Sequence, residues 1–289
     1  WQQAGAASRY LVREYGAGRG TLRDAVLAGL RDDGSGLAES IEWQAVDLPS
    51  RADAAALDRA ADLVLANEYL DALPVHRVVQ EKHVLREIYV GWQDGWFTEI
   101  IDSPSSPDLA AHLAADRVEL SSGQQAEICL DASAWMAAVS ERAGLVLVID
   151  YGHEAVELYG PRRMAGSLLT YREHTVSDEP FTAVGHSDIT AHIDVTALAR
   201  VAAAAGLGLV GTTSQARFLL ELGLGELLSE MGRAPGTEAG DYVAARSAVA
   251  RLIDPRHLGD FRVLAWSRPG AKAGLQAGSS GLPGFDHAA

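Results

Sequence analysis

The stretch Leu11-Val12-Arg13-Glu14-Tyr15-Gly16-Ala17-Gly18-Arg19-Gly20-Thr21-Leu22 decides how this chain folds. A short apolar run ends in an acid, Glu14, passes through three glycines with the spacing G-x-G-x-G, and leads into a helical pattern. Because glycine adopts positive φ and carries no side chain, such a turn brings backbone N–H groups and a helix N-terminus close to a ligand. The stretch therefore predicts a strand, a ligand-binding loop and a helix.

The spacing of the glycines indicates which ligand the loop accepts. A dinucleotide fold shows G-x-G-x-x-G and binds a pyrophosphate. The tighter spacing of Gly16, Gly18 and Gly20, with Glu14 just before it, favours a nucleoside that carries an amino-acid tail, such as S-adenosylmethionine. A glycine-rich loop is often only a turn, so this stretch alone leaves both interpretations open.

Composition places the chain among ordinary globular proteins. Its 289 residues are 48% hydrophobic and 22% charged, and the length fits one large α/β domain or one domain with an insertion. The net charge of -15 argues against nucleic acid as a partner and favours a partner that presents Arg or Lys, although an acidic surface that only aids solubility is the alternative. No apolar run approaches the roughly 18 residues of a membrane span.

The single cysteine, Cys129, excludes an intrachain disulfide and a four-cysteine zinc site. Cys129 lies in an apolar run and is expected to pack rather than react. No signal peptide is visible, and abundant Arg and Ala with few Lys indicate a GC-rich bacterial genome, so a bacterial cytoplasmic location is expected. Because the chain begins with Trp1 rather than Met, residues before it are expected in the natural protein.

Apolar runs predict a parallel sheet with an antiparallel insertion. The runs at Ser8, Ile41, Leu63 and Leu145 end in polar residues, as in buried parallel strands whose carboxyl ends meet at a ligand crevice. Alternating patterns predict antiparallel strands at 76–80, 84–92 and 96–101. The predicted division is a first part of a Rossmann-like domain at 1–75, the insertion at 76–107, the remainder of the domain at 108–268 with a long, irregular functional loop at 154–194, and a flexible tail at 269–289.

Acidic side chains mark the ends of the predicted strands. Glu14, Glu68 and Asp150 follow three of them, and Asp47 follows a fourth. A carboxylate accepts hydrogen bonds from two donors, so Asp47 is the candidate acceptor for ribose hydroxyls if its strand is the second of the sheet. A surface acid before a turn is the alternative. Because only a short segment separates Asp47 from the strand at Leu63, the place of its strand in the sheet stays open.

The string Asn67-Glu68-Tyr69-Leu70-Asp71-Ala72-Leu73-Pro74 is the most distinctive one after the glycine loop. Glu68 and Asp71 are three residues apart and would share one face of a helical turn. Two such carboxylates can hold a guanidinium and accept a proton from an attacking nitrogen. A capping arrangement at a helix start, with Asn67 as the cap, explains the string equally well.

Two further strings carry groups capable of proton transfer. Asp150-Tyr151-Gly152-His153 places a carboxylate, a phenol and an imidazole at one strand end. His192 could act as a base or could orient a loop. No spacing of His, Asp and Glu makes a convincing metal site, and the chain lacks the G-x-S-x-G elbow of an α/β-hydrolase.

Together these strings resemble the MidA family of S-adenosylmethionine-dependent methyltransferases, relatives of the mitochondrial complex I assembly-factor protein arginine methyltransferase. The matching strings run in the family's order over roughly Val12 to Leu228. They are Glu14–Leu22, Ala66–Val75, Ile149–Gly152, Gly166–Leu168 leading to Tyr171-Arg172, Asp188–Asp194 and Gln215–Leu219.

The resemblance implies an α/β, Rossmann-like class I methyltransferase fold with helices on both faces of the sheet. It implies S-adenosylmethionine as cofactor, S-adenosylhomocysteine as product, and an arginine of a protein as acceptor. In this hypothesis the catalytic residues are Glu68, Asp71 and His192, and the cofactor-binding residues are Glu14, Gly16, Gly18, Gly20, Asp47, Asn67 and Asp150.

Two alternatives to this function remain. The first is an S-adenosylmethionine-binding assembly factor or scaffold with little turnover, and the second is a nicotinamide-dependent oxidoreductase. The expected partner is a protein substrate that presents an arginine, with neither nucleic acid nor a membrane span, and the chain is a candidate homodimer.

Overall fold

The computed structural model describes residues 7–32, 34, 36–47, 58–172, 175–269 and 285. The chain divides into two compact units. The first unit is Trp1–Asn67, Val139–Asp150 and Ala205–Ala289, and the second is Glu68–Ala138 and Tyr151–Ala204. The second unit is therefore built from two separate stretches of sequence.

The strands are, in chain order, β1 (Tyr10–Tyr15), β2 (Ile41–Val46), β3 (Ala61–Asn67), β4 (His76–Glu81), β5 (Val84–Gln93), β6 (Trp96–Asp102), β7 (Gln125–Ile128), β8 (Ala143–Asp150), β9 (Gly152–His153), β10 (Leu169–Arg172), β11 (Thr175–Ser177), β12 (Asp188–Thr190), β13 (Ile193–Asp194), β14 (Gly208–Ser214) and β15 (Arg262–Ser267). The helices are α1 (Thr21–Asp32), α2 (Leu37–Ser40), α3 (Asp108–Ala115), α4 (Leu130–Arg142), α5 (Ala155–Leu158), α6 (Val195–Ala204), α7 (Gln215–Glu221), α8 (Leu224–Arg233) and α9 (Ala239–Ile253). Among the helices of the described residues, none is long and apolar enough to cross a lipid bilayer.

The first unit is organised around a six-stranded sheet with the order β14-β15-β8-β3-β1-β2. The strands β2, β1, β3 and β8 run parallel, whereas β15 is antiparallel to both of its neighbours. The central strands are mostly apolar because both of their faces are covered. Almost fully buried side chains include Val12, Val64, Val148 and Trp266. The predicted parallel sheet is confirmed. The strand that precedes Asp47 is β2, which is second in chain order and pairs with β1 at the edge of the sheet.

The parallel strands end at one edge of this sheet. Tyr15 pairs with Val46 and with Ala66, and Ala66 pairs with Val148. The ends of β1, β2, β3 and β8 are therefore level with one another. The chain leaves the first unit directly after two of them, at Asn67 and at Asp150.

The second unit contains a four-stranded antiparallel sheet with the order β6-β5-β4-β7. The predicted strands at 76–80, 84–92 and 96–101 are its β4, β5 and β6. The fourth strand, β7, comes from outside the predicted insertion, and its Ile128 pairs with His76 of β4. Only four residues form β7, which is too short for an alternating pattern to stand out from the apolar run around it.

The stretch 154–194 is more regular than the sequence predicted. It contains α5, the three-stranded sheet β11-β10-β12, and β13, which pairs with β9. The prediction of irregular backbone here is wrong because strands of two to four residues carry almost no periodic signal. The functional role of the stretch and the predicted segment limits stay predictions, and the tail 269–289 lies outside the described residues except for Pro269 and Phe285.

Close packing between β9 and β13 makes Gly152 a testable position. A Cβ atom at Gly152 would lie 2.4 Å from Cγ1 and 2.9 Å from the carbonyl oxygen of Ile193. We expect Gly152→Ala to lower the free energy of unfolding by about 1–3 kcal/mol, as measured by urea unfolding followed by circular dichroism. The control is Gly29→Ala in α1, where a Cβ meets no atom within 4 Å and should raise stability by up to about 1 kcal/mol. Wild-type stability in Gly152→Ala would contradict this packing.

Candidate functional site

The glycine loop after β1 has the backbone that only glycine adopts without strain. The φ angles of Gly16, Gly18 and Gly20 are 70°, 50° and 76°. The loop is fixed at its start, where Gly16 N–H donates to the Val46 carbonyl at 2.9 Å, and at its end, where Asp24 N–H donates to the Gly20 carbonyl at 3.0 Å. A Cβ atom at Gly18 would meet no atom of the described residues within 4 Å, so among these residues nothing covers the outer surface of the loop.

The acidic residues predicted to bind a cofactor lie at the same edge of the first unit's sheet. Glu14 is 3% exposed, and its Oε2 accepts a hydrogen bond from Trp43 Nε1 at 2.8 Å. Asp47 is exposed and directly follows β2, whereas Asp150 is completely buried at the end of β8. Asn67 is half-buried at the end of β3. The sheet brings these four residues to one edge, and their contacts with a cofactor stay predictions.

The second unit begins with the turn that carries Glu68 and Asp71. The backbone of Glu68 is left-handed, with φ at 49°, which is uncommon outside glycine. No helix forms within residues 68–75, all of which the structure describes. The predicted helical turn that would place Glu68 and Asp71 on one face is therefore wrong, and so is the alternative of a capping pair at a helix start. The turn is tied to another part of the unit where Ala191 N–H donates to the Asp71 carbonyl at 3.0 Å.

Asp71 is 5% exposed and lies close to a second acid, Glu68. Burial and, to a smaller extent, the negative charge of Glu68 together raise the pKa of Asp71 from 3.8 to about 6. A hydrogen bond from the backbone N–H of Ala72 acts in the opposite direction but is outweighed. A bound cation would offset both unfavourable effects, so this pair is suited to a positively charged group.

Tyr151 connects this acidic turn with His192. Burial, then the neighbouring Tyr171 and the negative charge of Glu68, raise the pKa of the Tyr151 phenol. Tyr151 is also hydrogen bonded to Tyr171. The ring of His192 stacks on Tyr151 with a centroid distance of 5.9 Å and an interplanar angle of 8°. The two tyrosines were absent from the predicted site residues, although Tyr151 directly follows the strand-end acid Asp150.

The imidazole of His192 is held neutral and has an unsatisfied nitrogen. Burial lowers the pKa of His192 to about 4, and the nearby His153 and Arg163 contribute to the shift. Its Nδ1 is buried and has no hydrogen-bond partner among the described residues. Buried polar atoms are rarely left without a partner, so Nδ1 offers a hydrogen-bonding position to a bound molecule. The structure thus brings Glu68, Asp71 and His192 together around Tyr151.

A further cluster of possible metal ligands is explained by contacts within the protein. Suitable atoms of His112, Asp116 and Asp194 all lie within 4.8 Å of one another. Arg200 Nε already pairs with Asp116 at 2.9 Å, so a cation is present in this cluster. Asp194 Oδ2 is hydrogen bonded to His112 Nε2 at 3.1 Å, and Asp194 Oδ1 accepts a hydrogen bond from Ala197 N–H at 3.0 Å at the start of α6. The cluster therefore fits a structural role.

The chain is similar to a family of methyltransferases and to several curated methyltransferases. Residues 41–213 match the family model described as "Putative S-adenosyl-L-methionine-dependent methyltransferase". The chain is 26% identical over 238 residues to the mitochondrial protein arginine methyltransferase NDUFAF7 of Rattus norvegicus, covering 77% of this chain and 51% of the relative. The Homo sapiens NDUFAF7 is 27% identical over 166 residues, with coverages of 55% and 35%. The chain spans about half, or less, of the length of these curated relatives.

Solved structures resemble the chain over most of its length. A COG1565 superfamily member from Burkholderia thailandensis, bound to S-adenosyl-homocysteine, has a TM-score of 0.79 at 31% identity and is matched over 94% of this chain and 76% of that one. A native COG1565 superfamily structure from the same organism has a TM-score of 0.77 at 29% identity, with coverages of 96% and 79%.

The raised pKa of Asp71 predicts how its replacement affects stability. Because the folded state holds the proton more tightly than the unfolded state, ionised Asp71 destabilises the fold above about pH 6, and the effect vanishes below about pH 4. We expect Asp71→Asn to raise the free energy of urea unfolding by about 1–3 kcal/mol at pH 8 and to lose this advantage at pH 4.

Glu87→Gln is the matched control for Asp71→Asn. Burial works to raise the pKa of Glu87, but hydrogen bonds from His76, Ser105 and Tyr89 outweigh it and lower the pKa to about 2. This substitution should therefore destabilise the protein at pH 8. Equal or lower stability of Asp71→Asn than wild type at pH 8 would contradict the buried, charge-crowded environment.

Proposed function

Because this chain belongs to the S-adenosyl-L-methionine-dependent methyltransferase family whose model it matches, we propose that it transfers a methyl group from S-adenosylmethionine to an arginine of a protein substrate. The family and its Rossmann-like fold are confirmed by that match and by the Burkholderia thailandensis structure. The predicted cofactor is confirmed as well, since that neighbour is bound to S-adenosyl-homocysteine.

The first unit has residues that fit S-adenosylmethionine. The open face at Gly18 and the positive φ angles of the loop allow a ligand to approach the backbone without a side chain in between. Glu14 and the exposed Asp47 supply carboxylates at the same sheet edge, where Asp47 would accept hydrogen bonds from ribose hydroxyls. When bound, the cofactor supplies a methyl group already activated on a sulfonium, so the protein has chiefly to position the acceptor.

The observation that carries the choice of arginine is the buried carboxyl of Asp71 beside Glu68. A guanidinium presents N–H donors in a planar fork and therefore matches two neighbouring carboxylates better than a compact ammonium does. The names of the curated relatives in rat and human, protein arginine methyltransferase, support the same acceptor.

The residues of the second unit supply a place for the proton that must leave. When an arginine nitrogen gains a methyl group, one of its N–H protons is released. The Asp71 carboxylate, with a pKa of about 6, can receive this proton near neutral pH. His192, neutral above about pH 4, can hydrogen bond the substrate through Nδ1, while the stacked Tyr151 holds the imidazole in place.

Cofactor binding can be tested at the glycine loop. We expect Gly18→Ala to weaken S-adenosylhomocysteine binding about tenfold or more in titration calorimetry, because the new Cβ strains the loop and occupies its open face. The control is Gly236→Ala, where φ is 91° and the Cβ likewise meets no atom of the part of the chain that the structure describes within 4 Å. It imposes comparable backbone strain outside the loop and should leave the dissociation constant unchanged. Equal binding by both variants and wild type would place the cofactor elsewhere.

The acceptor can be tested with tritiated S-adenosylmethionine and lysate proteins, followed by hydrolysis and separation of methylated amino acids. We expect label in methylarginine, and Glu68→Gln and Asp71→Asn should lower its rate by about 100-fold or more, since each loses one carboxylate of the pair. Glu81→Gln, at an exposed acid of the same unit, is the control. Label in another amino acid would contradict the proposal, and cofactor binding without label would favour the scaffold alternative.

The rate should also depend on pH through Asp71. At low substrate concentration the wild-type rate should fall as pH drops through about 6, where Asp71 becomes protonated, whereas His192 changes charge only near pH 4. In Glu68→Gln the acidic limb of the residual activity should move to lower pH, because a negative charge that raises the pKa of Asp71 is gone.

A further inference from the structure

The second unit contains a cleft whose lining includes Asp71 of the acidic turn. Its volume is about 530 Å³, within the range of roughly 300–1,000 Å³ that ligand sites occupy. Strands β4, β5 and β6 form one side, and residues 180–191 form the other. The apolar lining includes Ile88, Val90, Phe97, Phe181, Val184 and Ile189. The cleft is therefore mainly apolar and larger than one arginine side chain needs.

Several of these apolar side chains remain exposed although they face a common space. The exposed fractions are 66% for Val90, 41% for Phe97, 49% for Val184 and 50% for Ile189. The rings of Phe97 and Phe181 stack across the cleft with centroids 6.1 Å apart. Contiguous apolar surface of this kind marks a binding groove more often than the scattered apolar residues of an ordinary surface do.

The connection between β11 and β12 holds part of this lining in a defined conformation. Thr182 N–H donates to the Glu179 carbonyl at 3.1 Å, and His186 N–H donates to the Ala183 carbonyl at 2.9 Å. Ala183 has a φ of 56°, a left-handed conformation that is unfavourable for a residue with a Cβ. The turn thus presents Phe181 and Val184 to the cleft at an energetic cost.

Three acids belong to the lining of the cleft. Glu87 pairs with His76 at 2.7 Å, and Glu99 pairs with Arg77. Asp71 has a second acid, Glu68, as a charged neighbour. The residue that we propose to bind arginine therefore lines the same cleft as the apolar side chains.

From this arrangement we propose that the cleft binds a large apolar side chain, such as that of leucine, methionine or phenylalanine, located within three residues of the methylated arginine in the protein substrate. The inference rests on the proposed function, since Asp71 is the group that would bind the arginine. Three residues span at most about 10 Å, so one extended peptide segment can place an arginine at Asp71 and a neighbouring side chain in the cleft. Charge complementarity favours such a basic segment over a second copy of this chain, because each copy carries a net charge of -15.

The test uses fluorescent peptides that contain one arginine, with phenylalanine or alanine placed in turn at each of the three positions on either side. Binding to the full chain is measured by fluorescence polarisation in the presence of S-adenosylhomocysteine. We expect phenylalanine at one or more positions to bind at least tenfold more tightly than alanine. Phe181→Ala and Val184→Ser should each reduce this preference to less than threefold. Trp96→Ala removes an aromatic residue that is 76% exposed on β6 but does not line the cleft, and it should keep the preference.

Equal affinity for all peptides, or a preference that survives both cleft variants, would overturn the assignment. So would a dimer in sedimentation that Val184→Ser dissociates, because the cleft would then be an interface between copies. The same peptides incubated with tritiated S-adenosylmethionine separate this inference from the proposed function. A cleft-dependent preference without label contradicts the proposed function and supports the apolar site. Label in methylarginine without a preference supports the proposed function and contradicts the apolar site.

Discussion

Two negative charges, on Glu68 and Asp71, are held at one turn although they repel each other and one of them is buried. The protein keeps this arrangement with a left-handed residue at Glu68, a fully buried Leu70, and a backbone hydrogen bond from Ala191 to Asp71. Each of these features fixes the turn rather than relieving the repulsion. Unfavourable local arrangements of this kind persist where the surrounding structure enforces them, and they cluster at functional sites. Under the proposed function, a substrate guanidinium would relieve part of this repulsion.

The sheet of the first unit explains why residues far apart in sequence lie at one edge. Parallel strands all end at the same edge, and the register between β1, β2, β3 and β8 makes those ends level. The acids follow the apolar runs directly, so the burial of the strands fixes where the polar groups begin. The glycine loop adds an open backbone surface at the same edge, and these features together make the edge suitable for a cofactor with both ribose hydroxyls and a charged tail.

The parts of this fold that could be predicted from the sequence have a strong local signal. The glycine loop, the long apolar strands and the alternating β4, β5 and β6 follow from spacing and periodicity over five or more residues. The short strands β7 and β10 to β13 escaped prediction because two to four residues carry almost no periodic signal. A second limit applies to the site. Glu68, Asp71 and His192 could be named as candidates, but their grouping around Tyr151 and the unsatisfied Nδ1 of His192 depend on tertiary contacts.

The position of β15 in its sheet has a consequence for how the protein is made. This strand is the last one in the described sequence, yet it lies between β8 and β14 rather than at an edge. During synthesis, the side of β8 that faces β15 therefore has no β15 to pair with until more than one hundred further residues have been made. Such long-range pairing is slow to form and leaves a strand edge open to wrong partners in the meantime. We therefore expect the β8 edge to be the part of this sheet most open to wrong pairing before β15 is made.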